Sequence, residues 1–162
     1  MKTINITSEV TIYENLTELL PEDQELIQSA IEATKRSYAP YSNFSVGAAV
    51  RLKDGQIITG TNQENAAYPS GICAERTTLF YAGSQYPQTP VTTLAIAAHN
   101  GKELTEQPIS PCGACRQVIL EAEERHKQRI RIILYGTKGI YSVETVKDLL
   151  PFSFVAESMK KE

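Results

Sequence analysis

The sequence predicts an α/β fold, a three-layer α/β/α sandwich around a mixed five-stranded sheet. Strand-like and helix-like segments alternate along the chain, which implies a sheet covered by helices on both faces. Residues 91–98 form a nearly unbroken run of small and apolar residues, the pattern of a strand buried on both sides. The link Gly136-Thr137-Lys138-Gly139 is far too short for a parallel crossover, which needs a dozen or more residues. The last two strands are therefore expected to be antiparallel and the sheet mixed.

Each element has its own local reason. In the first 20 residues Val10 and Ile12 alternate with polar neighbours, enough for a short strand at best, and residues 1–20 read as an N-terminal extension. Pro21 suits the first turn of a helix, and Glu22, Asp23 and Glu25 favour its positive end. Leu26, Ile27, Ala30, Ile31 and Thr34 recur at helical spacing and define one buried face. Residues 44–52 read as a strand, Asp54-Gly55 as a tight turn and residues 56–59 as the paired strand. Residues 61–71 carry two Asn, a Pro and a Gly and read as a loop.

Helical character returns at 73–82 and ends near Gly83. After the strand at 91–98 and a polar loop, Pro111 starts a helix that includes Val118, Ile119 and Ala122. Residues 130–135 are the fourth strand, and Ile140 and Tyr141 continue the fifth. Ser142 is expected to cap a final helix over 143–150. Residues 21–155 thus read as a single domain, followed by a C-terminal tail at 156–162.

Bulk properties narrow the function. At 162 residues the chain supports one substantial core, and 41% hydrophobic with 22% charged residues is a globular composition. No apolar run approaches the ~20 residues that span a bilayer, and the N-terminus does not lead into a signal-peptide core. No membrane role is expected, and a cytoplasmic, reducing location follows, in which thiols stay free. The net charge of −3, with mixed signs along the chain, argues against a nucleic-acid polymer as partner. The basic run 125–131 reads as a solvated helix end leading into a strand.

The three cysteines carry the chemistry. Cys73 opens Cys-Ala-Glu-Arg, and Cys112 and Cys115 lie in Pro-Cys-Gly-Ala-Cys. Taken alone, the C-x-x-C pair also fits a redox or structural site. Three thiolates around one zinc, however, leave a tetrahedral position open, as catalytic zinc sites do. Glu75 stands two residues from the first cysteine, placed to move protons without binding the metal. Removing an amine from an aromatic ring by hydrolysis needs both parts: a water made nucleophilic by zinc and one carboxyl group to relay its proton. Three thiolates over-neutralise a divalent ion, so charge must be withdrawn from the sulfurs. Two predicted helix N-termini can do this, as can Arg76 and Arg116, the latter pair by second-sphere hydrogen bonds to one or more sulfurs. His99 and His126, the only histidines, are not expected to be ligands.

C-x-E followed by P-C-x-x-C resembles the zinc deaminase signature. The similarity extends through Phe44-Ser45-Val46-Gly47-Ala48-Ala49, Asn62-Gln63-Glu64-Asn65-Ala66, Gly71-Ile72-Cys73-Ala74-Glu75-Arg76-Thr77, Ser110-Pro111-Cys112-Gly113-Ala114-Cys115-Arg116-Gln117-Val118 and Leu149-Leu150-Pro151. Over roughly residues 38–154 the chain resembles the small homotetrameric zinc-dependent cytidine deaminases. The resemblance implies hydrolytic deamination of cytidine and 2′-deoxycytidine to the uridines in pyrimidine salvage, with one Zn²⁺ per chain held by Cys73, Cys112 and Cys115. It implies that a zinc-bound water attacks C4, with Glu75 as proton shuttle. It further implies that Asn62 and Glu64 hold the ribose 3′-hydroxyl, that Phe44 packs beside the pyrimidine, and that the Ala74 N–H helps read the base carbonyl. A C-terminal aromatic of a neighbouring subunit would close the pocket; Phe154 is the better match and Phe152 the alternative. The implied partners are a free nucleoside and three further copies of the chain.

Overall fold

The computed structural model describes residues 1–159. Six strands form one sheet: β1 (Thr11–Tyr13), β2 (Ser45–Leu52), β3 (Ile57–Thr61), β4 (Val91–His99), β5 (Arg131–Gly136) and β6 (Gly139–Val143). Three α-helices accompany them: α1 (Pro21–Thr34), α2 (Ala74–Gln85) and α3 (Gly113–His126). The spatial order of the strands is β1-β6-β5-β4-β2-β3. β4 and β5 are the parallel pair, joined by the crossover through α3, and the other neighbours are antiparallel. β5 and β6 pair from Ile132↔Val143 to Gly136↔Gly139, so the short glycine-flanked link is the expected hairpin.

Side chains alternate across the sheet with the strand period of two. On one face Ala49, Ala95, Ala97, Ile133 and Ile140 pack against Leu26, Ile27 and Ala30 of α1. On the other, Ala48, Val50, Leu94, Ile96, Ile132 and Leu134 pack against Ala74, Leu79 and Ala82 of α2 and Ile119 and Leu120 of α3. Two glycines set the depth of this packing. A side chain at Gly47 would run into the backbone of Ala30 and Thr34 in α1, and one at Gly60 into the backbone of Thr78 in α2. Both helices therefore lie close on the sheet, and the start of α2 is held firmly in place.

Two expectations need correction. The sheet has six strands and not five, because Thr11–Tyr13 adds to its edge by pairing with β6, Thr11↔Ser142 to Tyr13↔Ile140. Three residues with one apolar alternation leave almost no periodic signal; the strand exists because β6 offers an open edge and Tyr13 packs on the α1-side core. The final helix over 143–150 is also absent. Ser142 and Val143 stay in β6, where they pair with β5. Thr145 caps only a 3₁₀ turn, Val146–Leu149, its side chain accepting from the Lys147 N–H. Pro151 disfavours helical geometry at Leu150 and prevents the turn from growing. Elsewhere the shifts are small: α2 passes Gly83 and ends at Gln85, and α3 ends where Lys127 takes a left-handed conformation (φ 52°). Of the expected tail at 156–162, residues 156–159 form a 3₁₀ turn and the rest lies outside the described residues. Among the described residues no helix is long and apolar enough to cross a membrane.

Candidate active site

The site is built where α2 and α3 begin. Cys73 is the N-cap of α2 and Cys112 the N-cap of α3, both with extended backbone. Cys115 follows one turn into α3 and is fully buried. Residues three apart on a helix share a face, so the Cys-x-x-Cys spacing aims both thiols of α3 toward Cys73. The Cys73 and Cys112 sulfurs lie 3.9 Å apart, those of Cys112 and Cys115 3.4 Å, and all three fall within 4.8 Å of one another. A tetrahedral ion with Zn–S bonds near 2.3 Å needs sulfurs about 3.8 Å apart. The trio therefore fits a single zinc, and the donor set is one that zinc favours.

Charge compensation differs between the two arginines. Arg76 donates from Nη2 to the Cys73 sulfur at 3.7 Å. Arg116 does not reach a sulfur. Its Nε donates to the Pro111 carbonyl at 2.8 Å and its Nη1 to the Leu149 carbonyl at 2.5 Å, so it braces the turn that presents Cys112. Its aim is decided by two backbone carbonyls, one of them 33 residues away, which sequence adjacency to Cys115 does not reveal. The Cys73 thiol is brought down to about 5, chiefly by the hydrogen bond with Cys115 and further by Arg76, while Cys115 is pushed up by its contact with Cys73 and by burial.

Glu75 lies in the first turn of α2 and is only 5% exposed. Burial raises its carboxyl above the ordinary carboxylate range, and the nearby Cys73 charge adds to the rise; its own backbone amide and the Cys115 thiol oppose it. The Ala74 amide, one residue earlier, has no acceptor within the helix because the first amides of any helix lack one. Cys73, as N-cap, makes no side-chain cap to these groups.

Of these residues Cys73 and Arg76 line a cleft of about 540 Å³, together with Tyr41, Asn62, Glu64 and Tyr68, among others. Its polar wall comes from the chain just after β3. Gln63 and Ile72 exchange backbone hydrogen bonds at 2.9 and 3.0 Å, which lays residues 62–64 alongside Ile72 and Cys73. Asn62 is largely used by the protein: its Oδ1 accepts from Ser37 Oγ (2.7 Å) and Val46 N (2.8 Å), and its Nδ2 donates to the Phe44 carbonyl (2.9 Å). One N–H of the amide remains. Glu64 accepts from the Tyr41 and Ser42 amides on Oε2 (3.0 and 3.3 Å) and from the Ser42 hydroxyl on Oε1. These bonds, that of the hydroxyl foremost, hold its carboxyl below the ordinary range.

The remaining predicted residues do not themselves line this cleft, although the Phe44 backbone bonds to Asn62 and Ser42, which do. Phe44 is half-buried at the entry to β2 and, like Phe154, is not among the cleft-lining residues. Phe154 is exposed and accepts at its carbonyl from Gln117 Nε2 (2.8 Å); Phe152 is more exposed still. His99 accepts at Nδ1 from the Gly101 N–H, and neither histidine joins the cysteine cluster. Sequence reasoning overlooked Tyr41, Ser42 and Tyr68. The two tyrosines stack edge to face with centroids 6.0 Å apart. Their only sequence signal was a polar, aromatic loop beside motif residues, which lacks periodicity.

The family model for the cytidine and deoxycytidylate deaminase zinc-binding region matches residues 20–129. A cytidine deaminase of Halalkalibacterium halodurans is 43% identical over 136 residues, 84% of this chain and 96% of the relative. One from Sporosarcina psychrophila is 41% identical, covering 84% and 93%. The crystal structure of cytidine deaminase from Burkholderia pseudomallei superposes with a TM-score of 0.69 at 41% identity, covering 80% of this chain and 97% of that one.

Proposed function

The chain belongs to the cytidine and deoxycytidylate deaminase family, and we propose that it hydrolyses free cytidine and 2′-deoxycytidine to the uridines and ammonia, in pyrimidine salvage. The observation that carries the reading is a three-sulfur cluster of zinc dimensions beside a buried carboxyl, Glu75, at a nucleoside-sized cleft.

A zinc ion held by Cys73, Cys112 and Cys115 supplies, when bound, the Lewis acidity that lowers the pKa of a water from 15.7 towards ~7. The protein does the rest. Glu75 takes a proton from the attacking water and delivers it to N3 of the ring as the new C4–O bond forms. It then takes the proton of the new 4-hydroxyl and passes it to the 4-amino group; the C4–N bond breaks, ammonia departs and the C4 carbonyl of the uridine is left. A carboxyl raised by burial is suited to holding a proton between these transfers. Arg76 draws charge from the Cys73 sulfur, and Arg116 positions the Pro111–Cys112 turn.

The cleft wall presents one free donor on Asn62 and acceptor capacity on Glu64, a match for a sugar hydroxyl, which both accepts and donates. In this reading that hydroxyl is the 3′-hydroxyl, the Ala74 N–H faces the base carbonyl, and Phe44 packs beside the ring. Phe154 of a neighbouring subunit, in a homotetramer, completes the pocket; its exposure here is compatible with that role. The low pKa of Glu64 disfavours a phosphate on the sugar. A cytoplasmic location agrees with three free thiols.

The test is a metal count and a cytidine assay on the same sample. We expect one tightly bound zinc per chain, with loss of cytidine and 2′-deoxycytidine absorbance and equimolar ammonia. Zinc-loaded protein that leaves both nucleosides unchanged would reject this substrate class.

A further inference from the structure

Ser42 lines the cleft and has no role in the reading above. Its hydroxyl donates to Oε1 of Glu64, its amide donates to Oε2 at 3.3 Å, and its Oγ accepts from the Phe44 N–H at 3.0 Å. The serine therefore joins two places assigned to different parts of the substrate, the sugar carboxylate and the backbone of the ring-packing phenylalanine. Without it, Glu64 keeps two backbone donors, both on Oε2, and Oε1 loses its partner.

A carboxylate offers about four acceptor positions. In Glu64 two on Oε2 and one on Oε1 are taken, which leaves one, on Oε1. Asn62 has one N–H left. A single free acceptor and a single free donor lining the same cleft make a narrow specification, and the Ser42 hydroxyl restricts which lone pair of Oε1 remains. We propose that Ser42 is a positioning residue for sugar recognition: by locking Oε1 of Glu64 it sets the discrimination between nucleosides that carry a 3′-hydroxyl and those that lack it. The inference rests on the reading that Glu64 receives that hydroxyl.

The experiment compares cytidine with 2′,3′-dideoxycytidine for the zinc-loaded wild type, Ser42→Ala and Ser42→Thr, with zinc content and melting temperature recorded for each. Removing one hydrogen bond to a charged group is expected to lower kcat/KM for cytidine about tenfold, through KM. Dideoxycytidine, with no hydroxyl at the site, is expected to change less than about twofold. Ser42→Thr retains the hydroxyl and is expected to recover most of the loss. Equal losses for the two nucleosides, or no loss for either, would overturn the role of Ser42. A wild type that does not itself prefer cytidine over dideoxycytidine would instead remove the underlying sugar assignment, and the proposal with it.

Discussion

Glu75 and Glu123 are both 5% exposed, yet their surroundings are opposite in kind. Glu123, in the last turns of α3, accepts from the Ile130 N–H (3.0 Å), the Val146 N–H (3.1 Å) and the Thr145 hydroxyl (2.8 Å). It thereby ties α3 to the start of β5 and to the turn after β6. Glu75, in the first turn of α2, has no such set of donors; its neighbours are its own amide, the Arg76 charge and the sulfurs of Cys73 and Cys115. A buried carboxylate with donors on both oxygens is a structural tie. One that is desolvated beside metal-binding sulfurs keeps capacity to exchange a proton. Burial alone does not separate the two; the partners do.

Exchanging the two carboxylates for neutral groups should split activity from stability. Glu75→Gln is expected to lower kcat by about 10²–10⁴ while zinc content stays near one per chain and the melting temperature does not fall. Removing a desolvated acid costs the fold little. A variant that loses zinc together with activity would make Glu75 part of the metal site and collapse the contrast.

Glu123→Ala should show the reverse. It strands two backbone N–H groups in a buried setting, which costs about 2–4 kcal/mol, read as a lower urea midpoint. The fraction still folded is expected to deaminate cytidine at near wild-type kcat. Should Glu123→Ala leave the midpoint unmoved, the donors around it are not structural ties.

A third acidic residue, Glu124, extends the comparison to the surface. It pairs with Lys127 and Lys147 at 2.7 and 2.8 Å, and these hydrogen bonds, that of Lys127 first, pull its carboxyl down to about 2. Because the folded value is depressed, its contribution is present above the ordinary carboxylate pKa and fades as pH falls from about 4.5 toward 2. The expected effect of Glu124→Gln is the smallest of the three, since exposed pairs are weakened by solvent and salt. The urea midpoints of wild type and variant should differ slightly at pH 7 and converge at high salt.

Several parts of this picture were legible without coordinates because they depend on local spacing. Pro21 and the Leu26–Ile27–Ala30 pattern mark α1, and Asp54-Gly55 marks the β2–β3 hairpin. The Cys-x-x-Cys spacing marks two thiols on one helix face, and Glu75 is adjacent in sequence to the ligand cluster. The parts that were not legible depend on distant partners. Three residues at the N-terminus become a strand only because β6 has an edge to offer, and the helix expected after Ser142 gives way to β6 pairing and Pro151. Ser42 carries no signal in the sequence, because its bonds to Glu64 depend on residues 62–64 lying beside it.

By itself, then, the sequence determined which residues are the candidates for the chemistry: three thiols with no fourth, a carboxyl beside the first, and arginines next to each cluster. These follow from covalent neighbourhood and helix period. Only the tertiary structure decided how they are used. It brought Cys73 within 3.9 Å of a sulfur 39 residues away, turned Arg76 to a sulfur but Arg116 to two carbonyls, and left Asn62 and Glu64 with one free hydrogen-bonding position each. The physical reason is that a hydrogen bond or a metal-sized cluster is fixed to within tenths of an ångström by whatever packs around it, and that packing comes from elements remote in sequence.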